Sequence, residues 1–333
     1  MNSAALDKLR RWMEAQGFPR FAVSTPANFA WLTGGDNTVV TNQSAAWLEV
    51  EPAAVILCTS AIEASRLREE ELDGPGAQLQ VWPWHHPAAL PSPNDLEHDL
   101  TALRLVLSPG EQDQLRELGR DCARLLGDRL RAAHPELSER QLAGQLASQL
   151  MAEGIRPLVL LVAGERRVFR YRHPLPKAEP LGRLALVGLC GQRAGLIVSV
   201  SRLRSFGHPG AAARNAVVLE VERAALELSR PGKTLGEVAR AMRAAYQERG
   251  YPEAFEEHHQ GGLGGYRTRE VLATPQQPTR LEAGMVVAWN PSLPGAKVED
   301  SFLIGQHGLE ELTTDPAWPS TEVGGRRRPL VLE

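Results

Sequence analysis

Apolar positions recur at helical spacing from Leu6 to Gln16, and Gly17 and Pro19 then break the pattern. That spacing predicts a short amphipathic helix. Phe21-Ala22-Val23-Ser24 predicts a buried strand, with a turn at Pro26 after it. Ala53 to Cys58 predicts a second strand, Ala61 to Leu72 a charged helix, and Gln78 to Trp82 a third strand. Strands alternating with helices make a small α/β domain. Pro83 to Pro93, with His85 and His86, reads as a polar loop. The region after it, up to about Leu107, forms the boundary, and the first domain is taken as residues 1–105.

The second part opens on Ser108-Pro109-Gly110-Glu111, where serine at N-cap, proline at N1 and glutamate at N3 make a capping box. The helix it starts runs towards Ala133. Ser138-Glu139-Arg140-Gln141 caps another helix, which ends near Gly154. Apolar strands follow at Leu158 to Ala163, Leu184 to Cys190 and Gly195 to Ser201. The same order then recurs. One helix spans Ala211 to Ser229; a second, capped by Thr234-Leu235-Gly236-Glu237, stops at Gly250. Strands are expected near Tyr266–Ala273, at Met285 to Asn290 and at Lys297 to Ile304.

Ser138–Ile155 lies over Thr234–Tyr251 without a gap, at an offset of 96 residues throughout. Residues from about Ser108 to Gly305 therefore read as two copies of helix–helix–strands. Two such units close into one curved antiparallel sheet with helices outside, and a cleft on the concave face is a usual ligand site. The fold class is α/β in the broad sense (α+β). The second domain is taken as 106–320, with a tail at 321–333 whose stretch Gly324–Arg328 reads as mobile.

A chain of 333 residues suits two domains. A net charge of -3 gives no electrostatic footprint for nucleic acid or a membrane surface. Cys58, Cys122 and Cys190 are odd in number and far apart, so they form no disulfide framework and no CxxC pair. That usage fits a reducing cytoplasm. The N-terminus lacks a signal-peptide core, and no run is long and apolar enough to span a bilayer.

Candidate chemistry concentrates in His258-His259-Gln260-Gly261-Gly262-Leu263-Gly264-Gly265-Tyr266-Arg267-Thr268-Arg269-Glu270. Imidazole titrates nearest neutral pH, so it suits acid–base work or metal ligation. Glycines let backbone approach a ligand closely. The plain alternative is a flexible surface turn with two solvated histidines. A second candidate is Arg166 to Pro176, where Arg170 and Arg172 would share one face of a strand and bind an anion. Its alternative is a solvated, charged edge strand. Cys190 reads as core, and no Gly-x-Ser-x-Gly elbow surrounds Ser199 or Ser201.

Several motifs resemble those of the pita-bread family, which includes creatinase, prolidase, aminopeptidase P and methionine aminopeptidase. Thr25-Pro26-Ala27-Asn28-Phe29-Ala30-Trp31-Leu32-Thr33-Gly34 is similar to the family's "sPeNvrYLTG" strand and turn. An N-terminal domain of this kind implies the creatinase/prolidase branch. Gly284-Met285-Val286-Val287-Ala288-Trp289-Asn290-Pro291 resembles "GMvvtvEP", and Lys297-Val298-Glu299-Asp300-Ser301 resembles "riEDt". His258 falls at the "GHxxG" histidine when aligned without a gap up to Arg269-Glu270. A slip of one residue puts His259 there, and a slip of three puts Gly261. His173-Pro174-Leu175-Pro176 fits the substrate-facing "pHxxP" loop.

The resemblance implies two metal ions held by two Asp, one His and two Glu. This sequence departs from that set: Gly188 and Ser199 stand at the two Asp positions and Asn290 at one Glu, while Glu299 keeps the last carboxylate. A metal-free site without cofactor is expected. Creatinase, in the same family, implies hydrolysis by a histidine without metal. The candidates are then His258 or His259 for proton transfer, with Glu299 and Glu270 as carboxylates. Gln260 and Asn290 would hold a carbonyl or amide, and Arg269, Arg170, Arg172 and His173 would contact substrate. Glu299 reads alternatively as a structural ion pair to Lys297 or an arginine. The family also implies a homodimer and a small-molecule or dipeptide-like ligand. Three functions fit: metal-independent C–N hydrolysis of an amide, peptide or guanidino compound; binding of a small polar ligand or partner without catalysis; and metal-dependent Xaa-Pro cleavage.

Overall fold

A computed structural model of the chain describes residues 1–40, 43–72 and 76–333. The chain divides into two compact units, Met1–Leu105 with Ala194–Leu196, and Val106–Arg193 with Ile197–Glu333.

The first unit begins with helix α1 (Ser3–Gln16). Asn2 accepts a hydrogen bond from the Ala5 amide, and Gly17 closes the helix in the left-handed conformation. Ala5, Leu9 and Met13, four residues apart, form its buried stripe. Full burial of a side chain such as Leu9 stabilises by roughly 1.5–3 kcal/mol. Strand β1 (Phe21–Val23), helix α2 (Pro26–Thr33), a hairpin of β2 (Thr38–Val40) and β3 (Gln43–Ser44), strands β4 (Ala46–Val50) and β5 (Val55–Ser60), helix α3 (Ala64–Glu70), strand β6 (Gln78–Trp82) and helix α4 (Thr101–Arg104) follow. The main sheet has order β1-β4-β5-β6, antiparallel except for the β5–β6 pair that α3 connects. Pro26 starts a helix where a turn was expected. The reason is Asp95, whose carboxylate accepts from the Ser24 and Thr25 amides and from Asn28, fixing the start of α2.

The second unit contains helices α5 (Pro109–Ala132) and α6 (Glu139–Ala152), strand β7 (Arg156–Ala163), the short helix α7 (Glu165–Val168), strands β8 (Leu184–Arg193) and β9 (Leu196–Ser205), and helices α8 (Ala211–Leu228) and α9 (Leu235–Glu248). Strands β10 (Gly261–Gly264), β11 (Val271–Leu272), β12 (Val286–Trp289), β13 (Ser292–Leu293), β14 (Ala296–Lys297), β15 (Asp300–Ile304), β16 (Leu309–Glu311), β17 (Ser320–Val323) and β18 (Arg326–Pro329) complete it. α5, α6 and α9 each open on the expected capping box. α6 and α9 are both 14 residues long and stand 96 residues apart at both ends. One half carries the sheet β7-β8-β9, the other the antiparallel sheet β11-β10-β12-β15-β16. β9 stitches them together: Ile197 donates to the Gly265 carbonyl at 2.9 Å and Ser201 to that of Glu299 at 2.8 Å.

Three expectations for the second unit need correction. The strand expected over Tyr266–Ala273 shrinks to β11, and the glycine run before it is a fully buried strand, β10, not a surface turn. A Cβ on Gly261 would stand 2.1 Å from the Ala288 carbonyl oxygen, and one on Gly262 2.1 Å from that of Val271. Neighbouring strands approach so closely that only glycine fits. Second, Arg170 and Arg172 follow α7 in irregular chain and not in a strand. Third, Gly324–Arg328 does not read as a mobile tail. β17 and β18 form a hairpin, and Leu332 bonds to Leu203 and Ser205. The Arg328 guanidinium is buried between Glu222, Asp300 and Glu311. Val331 joins the apolar cluster of Leu184, Leu186 and Leu203.

Candidate functional site

Between the two half-sheets of the second unit lies a cavity of about 150 Å³. Val159 and Leu161 of β7 form an apolar wall, with Gly188 and Cys190 of β8 beside them. Arg269, Asn290, Lys297 and Glu299 supply its polar lining, and His173 and His259 its histidines. A side chain at Gly188 would make only ordinary contact with Leu161 at 3.8 Å, so space is not what excludes one.

Glu299 is the centre of the polar lining. Arg269 Nη2 donates to its Oε1 at 2.7 Å, and Lys297 Nζ donates to its Oε2 at 2.8 Å. All three side chains are at most a tenth exposed. Burial would push the Glu299 carboxyl up, but Lys297 and Arg269 outweigh it and hold it at about 2. Arg269 Nη1 also donates to Ser199 Oγ at 3.2 Å, and Ser199 Oγ meets Cys190 Sγ at 3.3 Å. Burial, reinforced by Glu299, raises the Cys190 thiol, which stays protonated at neutral pH. Arg269 Nε and Asn290 Oδ1 are buried without a hydrogen-bond partner among the described residues.

Glu299 and Asp300 are neighbours with opposite duties, because successive strand residues face opposite ways. Glu299 lines the cavity, whereas Asp300 accepts from Arg202 at 2.9 Å and from Arg328 at 2.6 Å behind the sheet. Those bonds anchor the strand that presents Glu299.

The histidines form a second group. His258 Nε2 lies 3.0 Å from His173 Nε2, and the rings of His258 and His259 stack with centroids 4.4 Å apart. His258 is buried, and its Nδ1 has no hydrogen-bond partner among the described residues. Burial pushes His258 down to about 3, with Lys297 and the adjacent imidazoles adding to the effect. His259 has an exposed face, yet burial of its inner edge and the charge of Arg269 push it down to about 4. His173 is lowered as well, by burial and then by Lys297. Imidazoles held this low are neutral at pH 7 and weak as bases.

Of the residues singled out in the sequence, His173, Gly188, Cys190, His259, Arg269, Asn290 and Glu299 line the cavity, and His258 packs against His173 at its edge. The rest lie elsewhere. Gln260 accepts from Tyr246 Oη at 3.0 Å and donates to the His258 carbonyl, so its amide is used in bracing the loop. Glu270 accepts from the Tyr266 amide at 3.0 Å and closes the turn before β11. Arg172 pairs with Glu257, and Arg170 is exposed. Sequence reasoning assigns Lys297 only a pairing with Glu299 and no place in the cleft. Its spacing of two from Glu299, which puts both on one strand face, is the signal that marks it.

Residues 113–306 match the model of metallopeptidase family M24, and residues 6–106 match that of the creatinase/prolidase N-terminal domain. An uncharacterized peptidase of Staphylococcus saprophyticus is 24% identical over 234 residues, which is 66% of this chain and 65% of that protein. One from Staphylococcus aureus is 32% identical over 123 residues, 34% of each chain. The chain thus spans less than two thirds of the length of these relatives. Prolidase from Pyrococcus horikoshii superposes with a TM-score of 0.79 at 17% identity, over 93% of this chain and 98% of that one. The N-terminal domain of the FACT complex subunit SPT16 from chickpea superposes at 0.68 and 11% identity, over 93% and 95%. At such identities the superpositions show the fold alone. The M24 match, by contrast, covers more than half of the chain, and with the domain match ahead of it places this protein in metallopeptidase family M24, with a creatinase/prolidase N-terminal domain.

Proposed function

We propose that this chain is a peptidase-family protein whose cleft works without a pair of metal ions and binds a small ligand carrying a carboxylate. The observation that carries this reading is the double ion pair of Glu299 with Arg269 and Lys297. Two divalent ions need several anionic oxygen ligands to offset their mutual repulsion. Gly188 brings no donor, Ser199 and Asn290 are neutral, and both oxygens of Glu299 are occupied by cations. The donor set does not fit two ions. The protein's own guanidinium and ammonium take their place.

Two cations against one carboxylate leave the polar lining with one positive charge, which favours an anion. Arg269 keeps Nε free to donate to a ligand carboxylate, and Asn290 Oδ1 is free to accept from an ammonium or amide N–H. That pairing of needs suits an amino-acid or dipeptide-like molecule. The cavity lies below the roughly 300–1,000 Å³ of drug-sized pockets, in keeping with a small ligand.

Metal-independent C–N hydrolysis is the second reading, favoured by the contact of His173 with His258 at the cavity edge. It needs an imidazole that takes a proton near working pH. The depressed values of His258 and His259 weigh against it, so binding is preferred.

The test is calorimetric titration of chelator-treated, untagged protein with acetate, glycine and Xaa-Pro dipeptides, beside their amides. Carboxylates are expected to bind, their amides not, and Arg269→Gln to abolish binding. Cleavage of Xaa-Pro dipeptides that requires two equivalents of Mn²⁺ or Co²⁺ per chain would overturn the reading. Metal-independent turnover lost in His258→Ala and His259→Ala would favour hydrolysis instead.

A further inference from the structure

Three histidines meet at the cavity edge from two segments of the chain 85 residues apart. His173, His258 and His259 each offer one ring nitrogen, and these nitrogens all lie within 4.8 Å of one another. Adjacent ligands of a tetrahedral zinc site, at metal–nitrogen distances of about 2.0–2.1 Å, stand about 3.3 Å apart. The Nε2–Nε2 distance of 3.0 Å between His173 and His258 is a few tenths from that value. The third nitrogen, on His259, lies within 4.8 Å of the other two and closes to that spacing if the ion is bound. A buried imidazole normally satisfies both nitrogens. Nε2 of His258, the nitrogen in the cluster, faces another imidazole nitrogen, a contact that an ion bound by both rings would replace.

We propose that His173, His258 and His259 form a single-ion site for a borderline divalent cation such as Zn²⁺ or Co²⁺. The donors are three imidazole nitrogens and no carboxylate. That set differs from the two-Asp, one-His, two-Glu arrangement the fold's peptidases imply, and it selects a different class of metal. Imidazole suits Zn²⁺, Co²⁺, Ni²⁺ and Cu²⁺, whereas Mg²⁺, Ca²⁺ and Mn²⁺ prefer hard oxygen donors. His173 and His259 both line the cavity, so the fourth position of the ion would open into it. Arg269 and Lys297 lie on the same cavity and exceed the charge of Glu299 by one, which opposes a second positive centre. Removing one of those cations is therefore expected to tighten the ion. The site stands or falls independently of the carboxylate ligand, because it uses different atoms.

The experiment uses untagged, chelator-stripped full-length protein titrated with Co²⁺ under calorimetry and visible spectroscopy. The expected result is one equivalent of Co²⁺ with a tetrahedral d–d spectrum, displaced by Zn²⁺ and not by Mg²⁺. His173→Ala and His259→Ala, at exposed positions that spare the fold, are each expected to weaken binding by about 100-fold or more. His258→Ala is read only alongside circular dichroism, since that ring is buried. Lys297→Met is expected to tighten binding. No bound cobalt, an octahedral spectrum, or affinity unchanged in the His173 and His259 variants would overturn the site.

Discussion

Lys297 and Glu299 stand two residues apart on one face of the chain, and Lys297 Nζ reaches Glu299 Oε2 across 2.8 Å. Arg269 takes the other oxygen at 2.7 Å. A single carboxylate thus pairs with two cations, all three side chains at most a tenth exposed, and leaves one positive charge in excess.

Glu299→Gln should therefore destabilise the protein strongly. It leaves Lys297 and Arg269 buried without an anion, and breaking a buried pair from one side costs about 3–5 kcal/mol. Urea unfolding measures it. Lys297→Met should be milder, because Arg269 still holds the carboxylate. A Glu299→Gln loss under about 1 kcal/mol would show that the group is hydrated and the charge argument for the cleft wrong.

The glycine strand gives a backbone prediction. Gly261 has φ of 118°, and a Cβ there would strike the Ala288 carbonyl. Gly261→Ala is expected to lose more than about 3 kcal/mol or to yield no folded protein. Gly264→Ala is the contrast. Its Cβ would meet only Val286 Cγ1, at 3.9 Å, and a change within about 1 kcal/mol is expected. Equal losses at both positions would mean that β10 is not packed as described.

Glu311 gives the pH dependence. Burial, with Asp300 adding to it and Arg328 opposing, raises its carboxyl to about 7. A folded-state value above the unfolded one contributes stability present below about pH 4.5 and lost as pH rises through 7. The lowered imidazoles act in the opposite sense below about pH 6.5, so wild type alone mixes the two. The stability of wild type relative to Glu311→Gln isolates the carboxyl. That difference is expected to fall steadily from pH 5 to pH 8 in denaturant titrations. A flat difference would place Glu311 in its ordinary range.

What could be read from the sequence was mostly local. α6 and α9 follow from capping boxes that specify their own first turns, and the 96-residue offset between them needs no tertiary knowledge. β10 could not be read that way. Glycine has little strand preference, and its use here depends on how closely Ala288 and Val271 approach from other parts of the chain. Arg170 and Arg172 were misplaced because charge spacing alone cannot tell a strand from chain leaving a short helix. Within the site, motif positions located Glu299 and His258. What those residues touch is set by packing between segments: His173 arrives from 85 residues away, and Arg269 crosses 30 residues to reach Glu299.

The placement of Arg328 bears on the order in which the site can be made. Asp300, one residue from Glu299, is held from behind by Arg202 and Arg328. During synthesis, residue 328 leaves the ribosome 29 residues after Glu299 and 69 after His259. Until then Glu222 lacks its guanidinium partner in the interior and Asp300 has Arg202 but not Arg328. The strand that presents Glu299 thus gains this brace only once residue 328 has emerged, which places completion of the cleft after formation of the β17–β18 hairpin.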